Sequence, residues 1–554
     1  MHHVYIVLVL LLGVVVSHWI AGTLRDRVAL PLVQIALGAA IGRIGPFSVT
    51  LDPALFFVLF LPPLLFLDGW RVPTEDLLDN AGTVLSLAFG LVFFTVLGIG
   101  YPLHMLVPAM PLPVCFALAA VVSPTDVVAA GAMVANVPVP RRMLRILQGE
   151  ALFNDASGLV CLRLAVAATV TGTFHFWEAL AELAWTAIGG VLIGAALTWA
   201  VSGAKTWVSS QLGEVTSTQI IISLLVPYGA YLIADGAGCS AVLAAVSAGM
   251  VMSRLEVRGI TLPMTRLRRT TVWETLQFTL NGIIFLLLGE QLPNVLANIN
   301  ASVAEDGHRS LAWLAGCIAL ITVALALLRF VWVTAIIRLR RPGGDAIGGD
   351  AIGPRPNWRL VAAMSVAGVR GAVTLAGAMS IPLTGYDGAA FPARDLVIVL
   401  AAGVIVTSLV LANLALPRLL RGVTSPLEPD GSKAALEARI QATQAALAAV
   451  ATAGAERANP QTGFIAAAAR VTGDYQRRLE HLSGHPEAAP QDDRGEMEQA
   501  RQDERALRLL ALRAERAAVI GMARKRHISN DLARTLMRET DLAETYYLSP
   551  PETA

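Results

Sequence analysis

Apolar residues in this chain neither alternate nor keep to one helix face. They fill whole windows of about 20 residues, the length a helix needs to cross the hydrocarbon core of a bilayer. Thirteen such windows, set apart by turn residues or charge, predict thirteen membrane helices at about 4–22, 28–46, 54–70, 81–106, 113–135, 146–171, 177–202, 216–235, 237–253, 271–291, 310–337, 358–382 and 394–420. Only Asp235-Gly236-Ala237-Gly238 divides the eighth from the ninth. From about Gly422 the pattern changes to Ala, Arg, Glu and Gln, with Leu436, Ile440, Leu447 and Val450 recurring at helical spacing. A second charged stretch runs from about Gln491 to Gly521, Gly484 to Pro490 reads as a flexible connection, and Ser529-Asn530-Asp531 suits the cap of a last short helix. The expected fold is an all-α membrane protein: a membrane domain over 1–421 and a helical cytoplasmic tail over 422–554.

Composition agrees. Only 15% of the 554 residues are charged and 55% are hydrophobic, where a soluble protein carries about a quarter charged residues. Mean hydropathy is +0.61. Cys115, Cys161, Cys239 and Cys317 all lie in apolar windows at scattered spacings, so they read as small buried hydrophobes and not as a metal or redox motif. The run from Tyr5 to Ile20 lacks a basic flank and a small-residue cleavage site and reads as a retained span. Gly343 to Ile347 is repeated at once as Gly348 to Ile352, a loop duplication that reads as a tolerated insertion.

Charge orients the chain. One alternate set of loops carries Arg25, Arg27, Arg71, Arg141, Arg142, Arg145, Lys205, Arg254, Arg258, Arg266, Arg268, Arg269, Arg338, Arg340, Arg341 and Arg355. The opposite set carries little beyond Arg43, Arg309 and Arg394. Basic loops stay in the cytoplasm, so the N-terminus is expected outside and the tail inside. The net charge of +1 gives no indication of nucleic acid. Arg524-Lys525-Arg526 beside His527 reads as a solvated patch, with anionic lipid as the alternative partner.

The expensive residues are the charges inside the windows. A carboxylate near mid-bilayer costs about 2.5 kcal/mol or more and persists mainly where ions or protons are handled. Asp126 follows Ser123-Pro124-Thr125 in the fifth window, where Pro124 lacks an N–H and clashes with the carbonyl of Ala120. The helix is expected to break there, exposing carbonyls and the Ser123 and Thr125 hydroxyls to a cavity. In the sixth window Glu150 and Asn154 share a face, with Asp155 about 100° around from Asn154. Arg329 and Arg370 are candidate partners for these acids, since a buried Arg without one is costly. Gly368 and Gly371 flank Arg370 and predict a second break in the twelfth window. Breaks seven windows apart fit two inverted repeats with broken helices meeting at the site. Asp68 reads as an interfacial residue, Glu274 as a cap or surface pair with a cytoplasmic funnel as the alternative, and Arg163 as either paired or snorkelling.

Several of these segments resemble the first family of monovalent cation/proton antiporters, the bacterial sodium/proton exchangers related to those of animals. The carrying motifs are Leu61-Pro62-Pro63-Leu64-Leu65-Phe66, Ser123-Pro124-Thr125-Asp126, Gly149-Glu150 with Asn154-Asp155, Phe278 to Gly289 with Asn281-Gly282, Arg329, and Arg370-Gly371-Ala372-Val373. They fall in order across residues 5 to 421. The resemblance implies a homodimer with a scaffold and a core domain that move past each other in alternating access. It implies that Asp155 is the main cation and proton carboxylate, assisted by Asp126 and the Thr125 carbonyl. Glu150 would pair with Arg329, Asn154 would hold the crossing together, and Arg370 would offset negative charge at the broken helix ends. Asn154-Asp155, in place of two aspartates, goes with electroneutral exchange. The chain departs from many relatives at Ala151, where they carry a serine hydroxyl; water or the Ser157 or Thr125 hydroxyl is left to fill in.

The expected function is exchange of a monovalent cation, most simply sodium, for protons, with potassium as the alternative. Proton and cation compete for the same carboxylate oxygens, and an empty charged site is penalised in crossing. No cofactor is implied, and neither is an enzyme: intramembrane aspartyl proteases resemble a Gly-x-Gly-Asp pattern that neither aspartate has. A channel is the remaining rival, but nothing resembles a carbonyl selectivity filter.

Overall fold

The computed structural model describes residues 2–24, 28–44, 53–72, 81–108, 110–126, 129–131, 141–171, 176–213, 215–256, 263–306, 311–339, 358–384, 391–421, 429–455, 462–483 and 497–548. Helix is the regular structure found among them. Within residues 2–421 the helices are α1 (His2–Thr23), α2 (Leu30–Ile44), α3 (Pro53–Arg71), α4 (Ala81–Leu106), α5 (Leu112–Val122), α6 (Arg141–Thr171), α7 (Phe176–Leu212), α8 (Thr216–Gly236), α9 (Ala241–Glu256), α10 (Pro263–Asp306), α11 (Leu311–Leu339), α12 (Trp358–Val366), α13 (Ala372–Met379) and α14 (Arg394–Leu420). The tail comprises α15 (Pro429–Ala455), α16 (Thr462–Ser483), α17 (Met497–Arg524) and α18 (Asn530–Leu548). Among the described residues, eight helices are long and apolar enough to cross a membrane, and α2 and α5 are shorter apolar helices. The four cysteines are buried and free.

Hydropathy locates these helices but not their ends. The apolar window 271–291 lies inside α10, which is 44 residues long, because polar residues that leave the hydrocarbon can continue a helix without any apolar signal. Glu274 is therefore inside a helix and is not its cap. The tail differs too: its described residues form four helices, and the last, with Ser529 Oγ accepting from Leu532 N–H at 3.2 Å, is 19 residues long. The duplicated loop 343–352 and the connection 484–490 lie outside the described residues.

Packing divides the membrane helices into two groups. In one, α2 lies along α10, α9 lies between α3 and α7, and α1 and α8 flank them. In the other, α4, α5 and α6 pack in series and α14 gathers α11, α12, α13 and α5. The seam between the groups is thinner, and both broken helices belong to the second group. Close approach in the first depends on small residues, as is usual where lipid supplies no hydrophobic drive between helices. A Cβ on Gly289 of α10 would run into the carbonyl of Ile35 on α2. Gly289→Ala is therefore expected to destabilise the protein by about 1–3 kcal/mol through overpacking, seen as a lower apparent Tm of detergent-solubilised protein; an unchanged Tm would refute that reading.

Candidate functional site

α5 stops at Val122, and residues 124–126 continue without helix. The proline removes the donor and the space that another turn would need. The second interruption lies between the end of α12 at Val366 and the start of α13 at Ala372. The two interruptions touch. The backbone N–H of Asp126 donates to the carbonyl of Val369 at 2.7 Å, which satisfies two groups that their own helices have released. A Cβ at position 371 would collide with the Asp126 carboxylate, so Gly371 permits the crossing. Asp126 Oδ1 also accepts from the N–H of Ala129 at 3.0 Å.

α6 runs beside this crossing and delivers three of the expected residues. Arg329 of α11 forks onto Glu150, with Nη1–Oε1 at 2.5 Å and Nη2–Oε2 at 2.6 Å, and its Nε donates to the carbonyl of Met364 at 2.9 Å. Both members of the pair are at least 98% buried. One turn on, Asn154 Nδ2 donates to the Thr125 hydroxyl at 2.8 Å, and that hydroxyl donates to Glu150 at 3.4 Å. Thr125 is thus held between α6 and the broken α5.

Asp155 points elsewhere, into a cavity of about 490 Å³ on the seam between the two groups. Asp126, Thr125, Gly371 and Ala151 line it from one group, and Asp68, Gln34 and Asn281 from the other. Its lining continues to Leu30 at the start of α2, Arg71 at the end of α3, and Glu274 and Gln277 in the first half of α10. These belong to the end of the bundle where the tail packs. The cavity therefore leads from the crossing toward the tail.

A model of the transmembrane region of sodium/hydrogen exchangers matches residues 6–422, three quarters of the chain. The chain belongs to the sodium/hydrogen exchanger family. This exchanger-family chain is 37% identical to the uncharacterized Na(+)/H(+) exchanger YjcE of Escherichia coli K12, over 98% of each protein. It is 38% identical to the sodium, potassium, lithium and rubidium/H(+) antiporter of Bacillus pumilus, over 75% of this chain and 61% of that protein's length. Its fold resembles that of the sodium proton antiporter MjNhaP1 of Methanocaldococcus jannaschii, with a TM-score of 0.56, 17% identity, and coverage of 76% of this chain and 99% of the other. The family is one of transporters, which makes the chain an integral membrane protein with antiport relatives.

Within this exchanger-family fold the sequence-derived residues separate into two sets, with Ser123 and Arg370 outside both. Thr125, Asp126 and Asp155 face the cavity. Glu150, Asn154 and Arg329 brace it from behind. Ser123 is buried and its hydroxyl has no partner among the described residues. Ser157, one candidate to replace the hydroxyl absent at Ala151, is turned away: its hydroxyl contacts the carbonyls of Ala88 at 2.6 Å and Asn154 at 2.9 Å. Ala88 lies in a π-helical turn of α4, Ser86–Gly90, where such a turn leaves carbonyls in need of donors. Arg370 is 4% exposed, and its Nε and Nη1 have no hydrogen-bond partner among the described residues. The Arg370 backbone N–H donates to the Ser408 hydroxyl at 3.2 Å.

Asp68 corrects the reading from sequence. It is half-buried near the end of α3 and lines the cavity with Asp126 and Asp155, which the reading as an interfacial residue did not include. Glu274 is exposed and lines the same cavity toward its tail-side end. The available signal was an acid five residues beyond Pro62-Pro63, still inside an apolar run.

Proposed function

We propose that the protein is a secondary active transporter that exchanges a monovalent cation, sodium first, for protons by alternating access. The observation that carries this reading is the convergence of Asp68, Asp126 and Asp155 on one cavity, which lies on the seam between two helix groups beside the crossing of two broken helices. Carboxylate and backbone oxygens suit a hard cation, and a carboxylate that takes a proton loses the charge that holds the cation, so one excludes the other. Among the described residues, no three carboxylate, imidazole or thiol groups close around one point as a metal cage. An open arrangement suits cargo that must leave again. Asp155 is the main exchanging carboxylate, Asp126 and Thr125 assist it, and Glu150, Asn154, Ser123, Arg329 and Arg370 support the crossing. The group containing α5, α6 and α12–α13 moves against the group containing α2, α3 and α10. The cavity's direction corresponds to a state open to the tail side.

The same reading takes residues 1–421 as a transport domain of thirteen crossings in inverted repeats, with the N-terminus outside a bacterial plasma membrane and residues 422–554 in the cytoplasm. It takes the working unit as a homodimer and the exchange as electroneutral, from Asn154 beside Asp155. Potassium as the exchanged cation is the second reading. It is favoured by the name of the Bacillus relative, which covers four alkali cations, and by Ala151, which removes a hydroxyl that would tighten the site around a small ion.

The test is proton efflux from acid-loaded everted vesicles, followed by dequenching of a pH-sensitive dye on adding sodium, lithium or potassium. Sodium is expected to give the fastest recovery. Recovery only with potassium selects the second reading. Recovery that follows imposed voltage without cation dependence overturns antiport.

A further inference from the structure

The tail is joined to the membrane domain by buried charge. α18 lies against the first half of α10. There Arg266 forks onto Asp541 of α18, with Nε and Nη2 at 2.9 and 2.6 Å from the two carboxylate oxygens. Arg516 of α17 reaches the same Asp541 at 3.0 Å and also hydrogen-bonds Glu544. Buried charges of this kind hold only while every partner stays in place. The docking is therefore specific and not a loose association of the tail with the bundle.

Two helical turns before Asp541, on the same face of α18, is Arg534. Its Nη1 donates to the backbone carbonyl of Arg71 at 3.0 Å, and its Nη2 to the hydroxyl of Ser253. These acceptors lie in the last turns of α3 and α9. The final carbonyls of a helix have no partner within it, and a cation is favoured at that end. Arg534 thus caps α3 from the tail. Glu256, the nearest acid on α9, is already occupied by Arg269 and by Trp70 Nε1 at 2.6 Å, so it does not draw Arg534 away.

Arg71 is what connects this contact to transport. Its Nη1 donates to Gln277 Oε1 at 2.5 Å, and it lines the ion cavity one turn beyond Asp68. It also lines a second cavity of about 210 Å³ between α18 and the ends of α3, α9 and α10. One arginine therefore stands at the mouth of a cation pathway and carries the tail on its own carbonyl. A fixed positive charge there opposes the field of the aspartates and lowers the local concentration of cations.

We propose that α18 braces the mouth of the ion cavity from outside its lining, with Arg534 acting as a positioning residue that holds Arg71 against Gln277 and so sets the apparent affinity for cations arriving from the tail side. The proposal rests on the antiport reading. When Arg534 lets go, the last turn of α3 loses its cap, Arg71 leaves Gln277, and the mouth becomes more negative.

The test measures the apparent KM for the cation against Vmax in everted vesicles at low ionic strength, for Arg71→Gln, Arg534→Ala, the double variant, Arg534→Lys and Ser253→Ala. Arg71→Gln and Arg534→Ala are each expected to lower KM, by about fivefold for Arg71→Gln, with little change in Vmax. The double variant is expected to match Arg71→Gln alone, since the second change acts through the first. Arg534→Lys is expected to restore most of the wild-type value. Ser253→Ala removes one bond without touching a charge and is expected to shift KM partway, which preserves the test if Arg534→Ala does not assemble on gel filtration. An unchanged KM in Arg534→Ala and Ser253→Ala, or additive effects in the double variant, overturns the proposal. Absence of cation-driven proton movement in the wild type would instead overturn the antiport reading.

Discussion

Asp155→Asn is expected to reduce cation-driven proton movement to the level of vesicles lacking the protein, while the protein still reaches the membrane and elutes normally in detergent. The substitution preserves the shape of the side chain. It removes both properties the proposed exchange uses, a negative charge for the cation and an oxygen that takes and releases a proton. Asp155 faces the cavity and does not take part in the bracing network of Thr125, Asn154, Glu150 and Arg329, so the loss falls on transport and not on folding. The same dye assay decides it. Retained exchange in Asp155→Asn would move the carrier role to Asp126 or Asp68, which share the cavity.

The second large effect is on stability. Glu150 and Arg329 are buried together and join α6 to α11, and Arg329 adds the last turn of α12 through Met364. Removing either partner leaves the other as an uncompensated buried charge, a loss of about 3–5 kcal/mol. Glu150→Gln and Arg329→Met are each expected to lower the apparent Tm sharply and to reduce membrane yield. The double variant is expected to lose less than the sum of the two single losses, because neither member of the pair is then left uncompensated by the other and the remaining buried charge nearby is Arg370. Additive losses in this double-mutant cycle would show that the two residues act independently, against the bidentate geometry.

How much was legible in advance depends on how local the cause is. Pro124 breaks α5 through its own ring and its missing N–H, so the interruption is readable from a few residues. Gly368 and Gly371 mark the second interruption just as locally, though by backbone freedom and the absence of a side chain. The buried acids and arginines stood out because charge in an apolar window is costly wherever the helix is placed. The length of α10 was not legible, because hydropathy reports contact with hydrocarbon and not helical hydrogen bonding. α16 was missed for a related reason: its buried Phe464, Val471 and Tyr475 gain their meaning only from the α15 and α17 residues that they meet.

Asp68 shows the boundary most clearly. Whether an acid near the end of α3 faces solvent or a cavity depends on how α3 packs against α9 and α10, and no residue near Asp68 encodes that. The Arg266–Asp541 and Arg534–Arg71 contacts join residues hundreds of positions apart, with no periodicity linking them. The sequence by itself determined a helical membrane protein with two interrupted helices, buried carboxylates and a family. These follow from transfer energies and backbone geometry, which act within a few residues. Only the tertiary structure decided which carboxylates share a cavity, which charges are neutralised and where the tail docks, because those depend on distances between helices, and an interaction between charges is set by separation in space and not along the chain.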